Sequence, residues 1–122
     1  MDVVLKDQVI PETGLLTLSF QETVSINISA AEAQRRVSRF VHWEISSQMH
    51  GETPTLVLGQ RAGWQVPIHL TFPSFGDVGC VGEIVVDAET GELHAPPDLI
   101  AEIKRRAQDL AARFTSPAKN RS

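Results

Sequence analysis

The sequence predicts an α+β fold: an antiparallel β-sheet of about 5–6 strands, with one helix packed on a face and a C-terminal amphipathic helix. Three observations carry this expectation. Trp64, Val66, Ile68, Leu70 and Phe72 alternate with Gln65, Pro67, His69 and Thr71, the period of two of a half-buried strand. Ala33, Val37, Phe40, Val41 and Ile45, and later Ile100, Ile103, Ala107, Leu110, Ala111 and Phe114, recur at helical steps. The order of elements, β-β-α-β-β-β-(β)-α, suits helices gathered on one side of an antiparallel sheet.

The N-terminal third reads as β. Val3–Leu5 and Val9-Ile10 are short apolar segments, and Pro11-Glu12-Thr13-Gly14 is a turn signal. Leu16, Leu18 and Phe20, then Val24, Ile26 and Ile28, alternate with polar residues, as two strands or one long bent one. Ser29-Ala30-Ala31-Glu32 is a capping box, with the Ser29 hydroxyl accepting an amide hydrogen and Glu32 reaching back to the Ser29 amide. It opens a helix expected over about 30–48, ending before His50-Gly51 with Gly51 in the left-handed C′ position.

Thr55–Leu58 is a short strand, and Pro67 within the long alternating run must face an open edge or a bulge, because proline has no amide hydrogen. Pro73–Gly79 is expected as a loop and Val81–Asp87 as a strand. Asp87-Ala88-Glu89-Thr90-Gly91 is a hairpin turn, returning through Glu92, Leu93 and His94. Pro96-Pro97 ends that strand and Asp98 caps the last helix, where Glu102–Arg106 and Asp109–Arg113 are i, i+4 ion pairs. The 122 residues fit one α+β domain over 1–114, followed by a disordered tail at 115–122.

One stretch is more specific. Ser29-Ala30-Ala31-Glu32-Ala33 opens a helix, Trp64-Gln65-Val66 lies in a meander, and Gly82-Glu83-Ile84-Val85-Val86-Asp87-Ala88-Glu89-Thr90-Gly91-Glu92-Leu93 closes it. This order resembles the PepSY domain over about 28–94, most closely in the GEIVVDAETGEL hairpin. The resemblance implies a role in binding or restraining another protein rather than catalysis, and it carries over no catalytic residue. The chain departs from that pattern in its N-terminal β segment, its long C-terminal helix and the absence of an export signal.

Composition narrows the function classes. Apolar residues make up 42% and charged residues 21%, as in ordinary globular proteins. No apolar run has the length of a membrane span, and Asp2, Lys6 and Asp7 break any signal-like pattern. The lone Cys80 gives no internal disulfide, so a cytoplasmic location is expected. Eleven Lys and Arg against fifteen Asp and Glu leave a net charge of −4, which argues against a nucleic-acid partner.

Local spacing selects no catalytic residue, cofactor or metal site. His42, His50, His69 and His94 form no metal-binding motif and read as surface or loop residues, with His69 on the polar side of its strand. Cys80 reads as a small buried or half-buried thiol. Gly76, Gly79 and Gly82 run into a strand rather than a helix N-terminus, so they read as loop and bulge glycines. Asp77, Glu83, Asp87, Glu89 and Glu92 lack the spacing of a calcium loop. Trp64 is expected in the core, whereas Trp43 lies off the apolar stripe of its helix.

Trp43, Arg35, Arg39, Phe75 and Phe114 are therefore the candidate interface residues. The function expected is a non-enzymatic interaction or regulatory module, binding an unidentified protein partner, a second copy of itself, or both. The alternatives are an accessory or antitoxin-like subunit of a cytosolic complex, and a small ligand-binding domain or enzyme. The last would use a pocket between sheet and helix, with His69, His42 and Glu44 as its polar residues.

Overall fold

The structure, a computed structural model, describes residues 14–17 and 23–115. The strands expected within 3–10, most of the turn at 11–14, residues 18–22 and the tail at 116–122 lie outside the described residues. The α+β architecture is as expected: a five-stranded antiparallel sheet with two helices, plus a separate two-stranded ribbon.

The ribbon pairs β1 (Gly14–Thr17) with β2 (Thr23–Ile26) in antiparallel register, so this region forms two strands rather than one bent strand. Helix α1 (Ala30–Glu44) starts on Ser29, whose Oγ accepts the Glu32 amide hydrogen at 3.0 Å. The Glu32 carboxylate does not complete the capping box but accepts from Arg35 at 2.7 Å and Arg36 at 2.9 Å. Those two guanidiniums, Arg36 foremost and then Arg35, hold the Glu32 carboxyl below the usual range.

The helix stops four residues short of the expected end. Ile45 is its C-cap, the Ser46 hydroxyl accepts the Gln48 amide, and the chain then enters β3 (Met49–Gly51). Gly51 is not a left-handed cap but a buried strand residue packed under α1, where its amide donates to Ser38 Oγ at 2.9 Å and its carbonyl accepts from Gln34 at 3.1 Å. A Cβ on Gly51 would come within 2.9 Å of Val66 Cγ1.

Strand β4 (Thr55–Leu58) follows, then the long hairpin of β5 (Ala62–Phe72) and β6 (Gly76–Asp87), then β7 (Leu93–His94). β3 and β4 pair end to end with the same side of β5, and β6 and then β7 lie on the other. The expected loop at 73–79 is thus mostly strand, since only Pro73–Phe75 turn the chain before β6 begins. β5 is central rather than an edge. Pro67 still escapes a ladder penalty: its carbonyl accepts the Glu52 amide at 2.8 Å, so its donor-less nitrogen faces the break between β3 and β4.

The register of β5 on β6 slips twice, between Ile68 and His69 and between Leu70 and Thr71. Gly79 and Gly82 supply the unusual backbone there, at φ 141° and 155°. The hairpin turn after β6 forms as expected. Asp87 accepts the amides of Glu89 and Thr90 at 2.8 and 3.0 Å, and Gly91 has φ 81°. Arg61 closes on Asp87 at 2.7 Å, and this ion pair leads the turn amides in pulling the Asp87 carboxyl down to about 2 against the opposing effect of burial.

Helix α2 (Pro97–Thr115) begins one residue before Asp98 and still includes Thr115. Pro97 takes the first helical position, where a missing amide hydrogen costs nothing, and Asp98 lies within the first turn rather than capping it. Glu102–Arg106 pairs at 2.8 Å, but among the described residues Asp109 pairs with Arg105 at 3.0 Å instead of with Arg113.

Both helices lie on one face of the sheet, the face of Trp64, Val66, Ile68 and Leu70. Val37 and Val41 of α1, Ile103 of α2, and Ile84 and Val86 of β6 complete a fully buried core. Trp64 is fully buried, and its indole nitrogen donates to the Ile28 carbonyl at 2.6 Å. No described helix is long and apolar enough to cross a membrane.

Candidate functional site

The outer face of α1 carries three of the expected interface residues. Trp43 is 78% exposed and meets the His42 ring edge-on, with centroids 5.9 Å apart. With Arg39, Phe40, Glu44 and Leu93 it lines a shallow depression of about 480 Å³ between α1 and the sheet edge at β7. Arg39 has no ion-pair partner among the described residues, and Arg35 is exposed with Glu32 as its partner. Arg36 is half-buried and structural, since it also donates to the Gly91 carbonyl at 3.0 Å and ties α1 to the turn after β6.

Phe75 and Phe114 belong to a second place. The tip of the β5–β6 hairpin meets the end of α2, and their rings stack at an angle with centroids 5.7 Å apart, both still substantially exposed. The five candidate residues therefore form two patches: Trp43 and Arg39, with Arg35 on the same helix, and Phe75 with Phe114.

Between the two helices, over Leu70 and Phe72, lies a groove of about 290 Å³ lined by Ile45, Met49 and Ala107 together with the polar Gln48, Lys104 and Gln108. His42, Glu44 and His69 do not line it. Cys80 is exposed rather than buried, because the irregular backbone between Gly79 and Gly82 turns its thiol toward the Gly82 carbonyl, 3.4 Å away, while Val81 takes the core position.

The opposite face of the sheet is covered by no described element. In β3, Met49 and Gly51 face the helices, so His50 and Glu52 are left on this open face. In β5 the alternation that buries Ile68 and Leu70 leaves His69 and Thr71 here as well. His50 and His69 are register partners, with ring centroids 6.2 Å apart. Asp77 enters from β6, opposite Thr71.

A polar cluster results. The His50 Nε2 atom contacts a Glu52 carboxylate oxygen, the His50 Nδ1 atom lies 3.4 Å from Thr71 Oγ1, and His69 Nδ1 lies 2.7 Å from Asp77 Oδ2. One ligand atom each of His50, Glu52 and Asp77 lies within 4.8 Å of the others. Burial pushes the Asp77 carboxyl up, but the His69 hydrogen bond, the Gly79 amide and the two imidazoles outweigh it and leave the group below the usual carboxylate range.

Sequence spacing did not select this cluster. Its members come from three strands, and β3, which aims His50 and Glu52, was hidden under the expected C-terminal turn of the helix. One local signal was present: His50 and Glu52 flank a glycine at strand spacing, which puts both side chains on one face.

No family model matches the chain, and no curated protein or solved structure matches it.

Proposed function

We propose that the chain is a non-enzymatic, PepSY-like protein-interaction module of the cytoplasm, and that it docks an acidic partner segment carrying an apolar anchor on the outer face of α1. Trp43 carries this reading: a large aromatic ring 78% exposed at the rim of a depression. Exposed tryptophan with neighbouring arginine is the composition of interface anchors. Arg39, with no ion-pair partner among the described residues, supplies a positive charge beside Trp43 for an acidic group of the partner, and Arg35 adds a second on the same helix. The GEIVVDAETGEL hairpin favours the same class, since PepSY domains are taken to act by binding other proteins. Nucleic acid is not the expected partner.

The test is a pulldown of the tagged chain from extracts of its own cells, run beside Trp43→Ala and Arg39→Glu, with circular dichroism and light scattering on each bait. A stoichiometric protein partner held by the wild-type chain and lost from both folded variants is the expected result. Equal retention by all three baits, or self-association as the only retained contact, overturns this assignment of the α1 face.

A further inference from the structure

The open sheet face holds a group of side chains that the docking role does not use. We infer that His50, Glu52 and Asp77 form a binding site for a divalent transition-metal ion of the zinc class, with His69 holding Asp77 in place. The geometry of the acceptors carries this. Three potential ligand atoms, two of them on carboxylates, converge within 4.8 Å across β5, from β3 and the residue after it on one side and from β6 on the other. Two carboxylates so close repel one another, and a cation held between them removes that repulsion. His50 Nε2 meets a Glu52 carboxylate oxygen, and Asp77, held by His69 and the Gly79 amide, lies beside that pair. A divalent ion satisfies both carboxylates and the imidazole nitrogen together.

The outer contacts fit the same purpose. Thr71 Oγ1 lies 3.4 Å from His50 Nδ1, so a hydrogen bond there leaves the Nε2 lone pair aimed at the Glu52 carboxylate. His69 Nδ1 and the Gly79 amide both hold Asp77, at 2.7 and 2.9 Å. Supporting hydrogen bonds of this kind fix ligand orientation at metal sites. The ligand set of one imidazole and two carboxylates selects a borderline ion, Zn²⁺ in preference to Ca²⁺ or Mg²⁺. His50, Glu52 and Asp77 are each more than a third exposed at the side chain, which leaves a coordination position for water.

The experiment is calorimetric titration of the full chain with Zn²⁺ in a non-chelating buffer, paired with the visible spectrum of the Co²⁺ form. The expected result is one Zn²⁺ per chain. Affinity should fall more than about tenfold in each of His50→Ala, Glu52→Gln and Asp77→Asn, fall about tenfold in His69→Ala, and stay unchanged in His94→Ala. The Co²⁺ form should show ligand-field bands without thiolate charge transfer, since Cys80 is not a ligand. Three results overturn the site: no saturable Zn²⁺ binding by a chain that is folded by circular dichroism, equal loss in His94→Ala, or tighter binding of Ca²⁺ than of Zn²⁺. Because neither Trp43 nor Arg39 takes part, this test and that of the docking face fail independently.

Discussion

The two faces of strand β5 are built from adjacent residues and obey opposite rules. On one, Trp64, Val66, Ile68 and Leu70 lie under two helices with almost no exposed surface. On the other, Gln65, Pro67, His69 and Thr71 are half-exposed, and the contacts are polar: Gln65 to Glu83, His69 to Asp77, Thr71 to His50. The covered face is held by burial of apolar area, which is non-directional and large in sum. The open face adds little stability, since exposed ion pairs contribute about 0–1 kcal/mol each. What it has is geometry: the register of β3, β5 and β6 sets where each polar atom lies. A face that contributes little to folding is free to carry chemistry.

The largest effect that would sharpen this contrast comes from neighbours. Ile68→Ala should cost about 3–4 kcal/mol in urea denaturation, because it opens a cavity in the fully buried core beneath the helices. His69→Ala, one residue along and on the other face, should cost under about 1 kcal/mol. Similar losses at the two positions would break the division between faces.

A smaller effect, about 2–3 kcal/mol, is expected where the helices press on backbone. A Cβ on Gly82 would lie 2.7 Å from Ile103 Cγ1, at a φ of 155°. Gly82→Ala should therefore lower the melting temperature, whereas Gly76→Ala meets no atom within 4 Å and bears only the cost of its own φ of 74°. An unchanged melting temperature in Gly82→Ala would mean that α2 does not seat on β6 as described.

The smallest effect lies at the rim where both faces end. Asp87 is held at about 2 by Arg61 and the turn amides. A carboxyl depressed in the fold stabilises it above its unfolded value, near 3.9, and that stability is lost as pH falls through about 2. Asp87→Asn should cost about 2 kcal/mol at pH 7, and the gap from the wild type should close as both are titrated toward pH 2. A gap independent of pH would assign the loss to shape rather than charge.

Strong periodicity made much of the fold legible in advance. The Trp64–Phe72 alternation, the two helical stripes and the DAETG turn each have a local physical cause, and each appears in the structure. The misses share another cause. β3 is three residues long, and its central pair, His50 with His69, joins residues nineteen positions apart, so no local pattern announces it. Ser46 and Ser47 hinted at a helix end, but the apolar stripe through Ile45 masked the hint. With β3 unseen, His50 stood as a loop histidine, and its meeting with His69 and Asp77 was out of reach. Trp43 needed only its position off the stripe of α1 to be placed at the surface, where it is exposed. Phe75 and Phe114 were named singly, and their contact depends on where α2 ends over the hairpin tip.

The two tryptophans lie in opposite surroundings, Trp64 fully buried and Trp43 open to solvent, and the chain has no tyrosine. Its intrinsic emission is therefore a mixture of two reporters. An aqueous quencher silences the helix-surface indole while the interior one keeps shining, and the interior one shifts to the red only when the core comes apart. Occupancy of the α1 face and integrity of the fold can thus be followed by light from a single unlabelled sample.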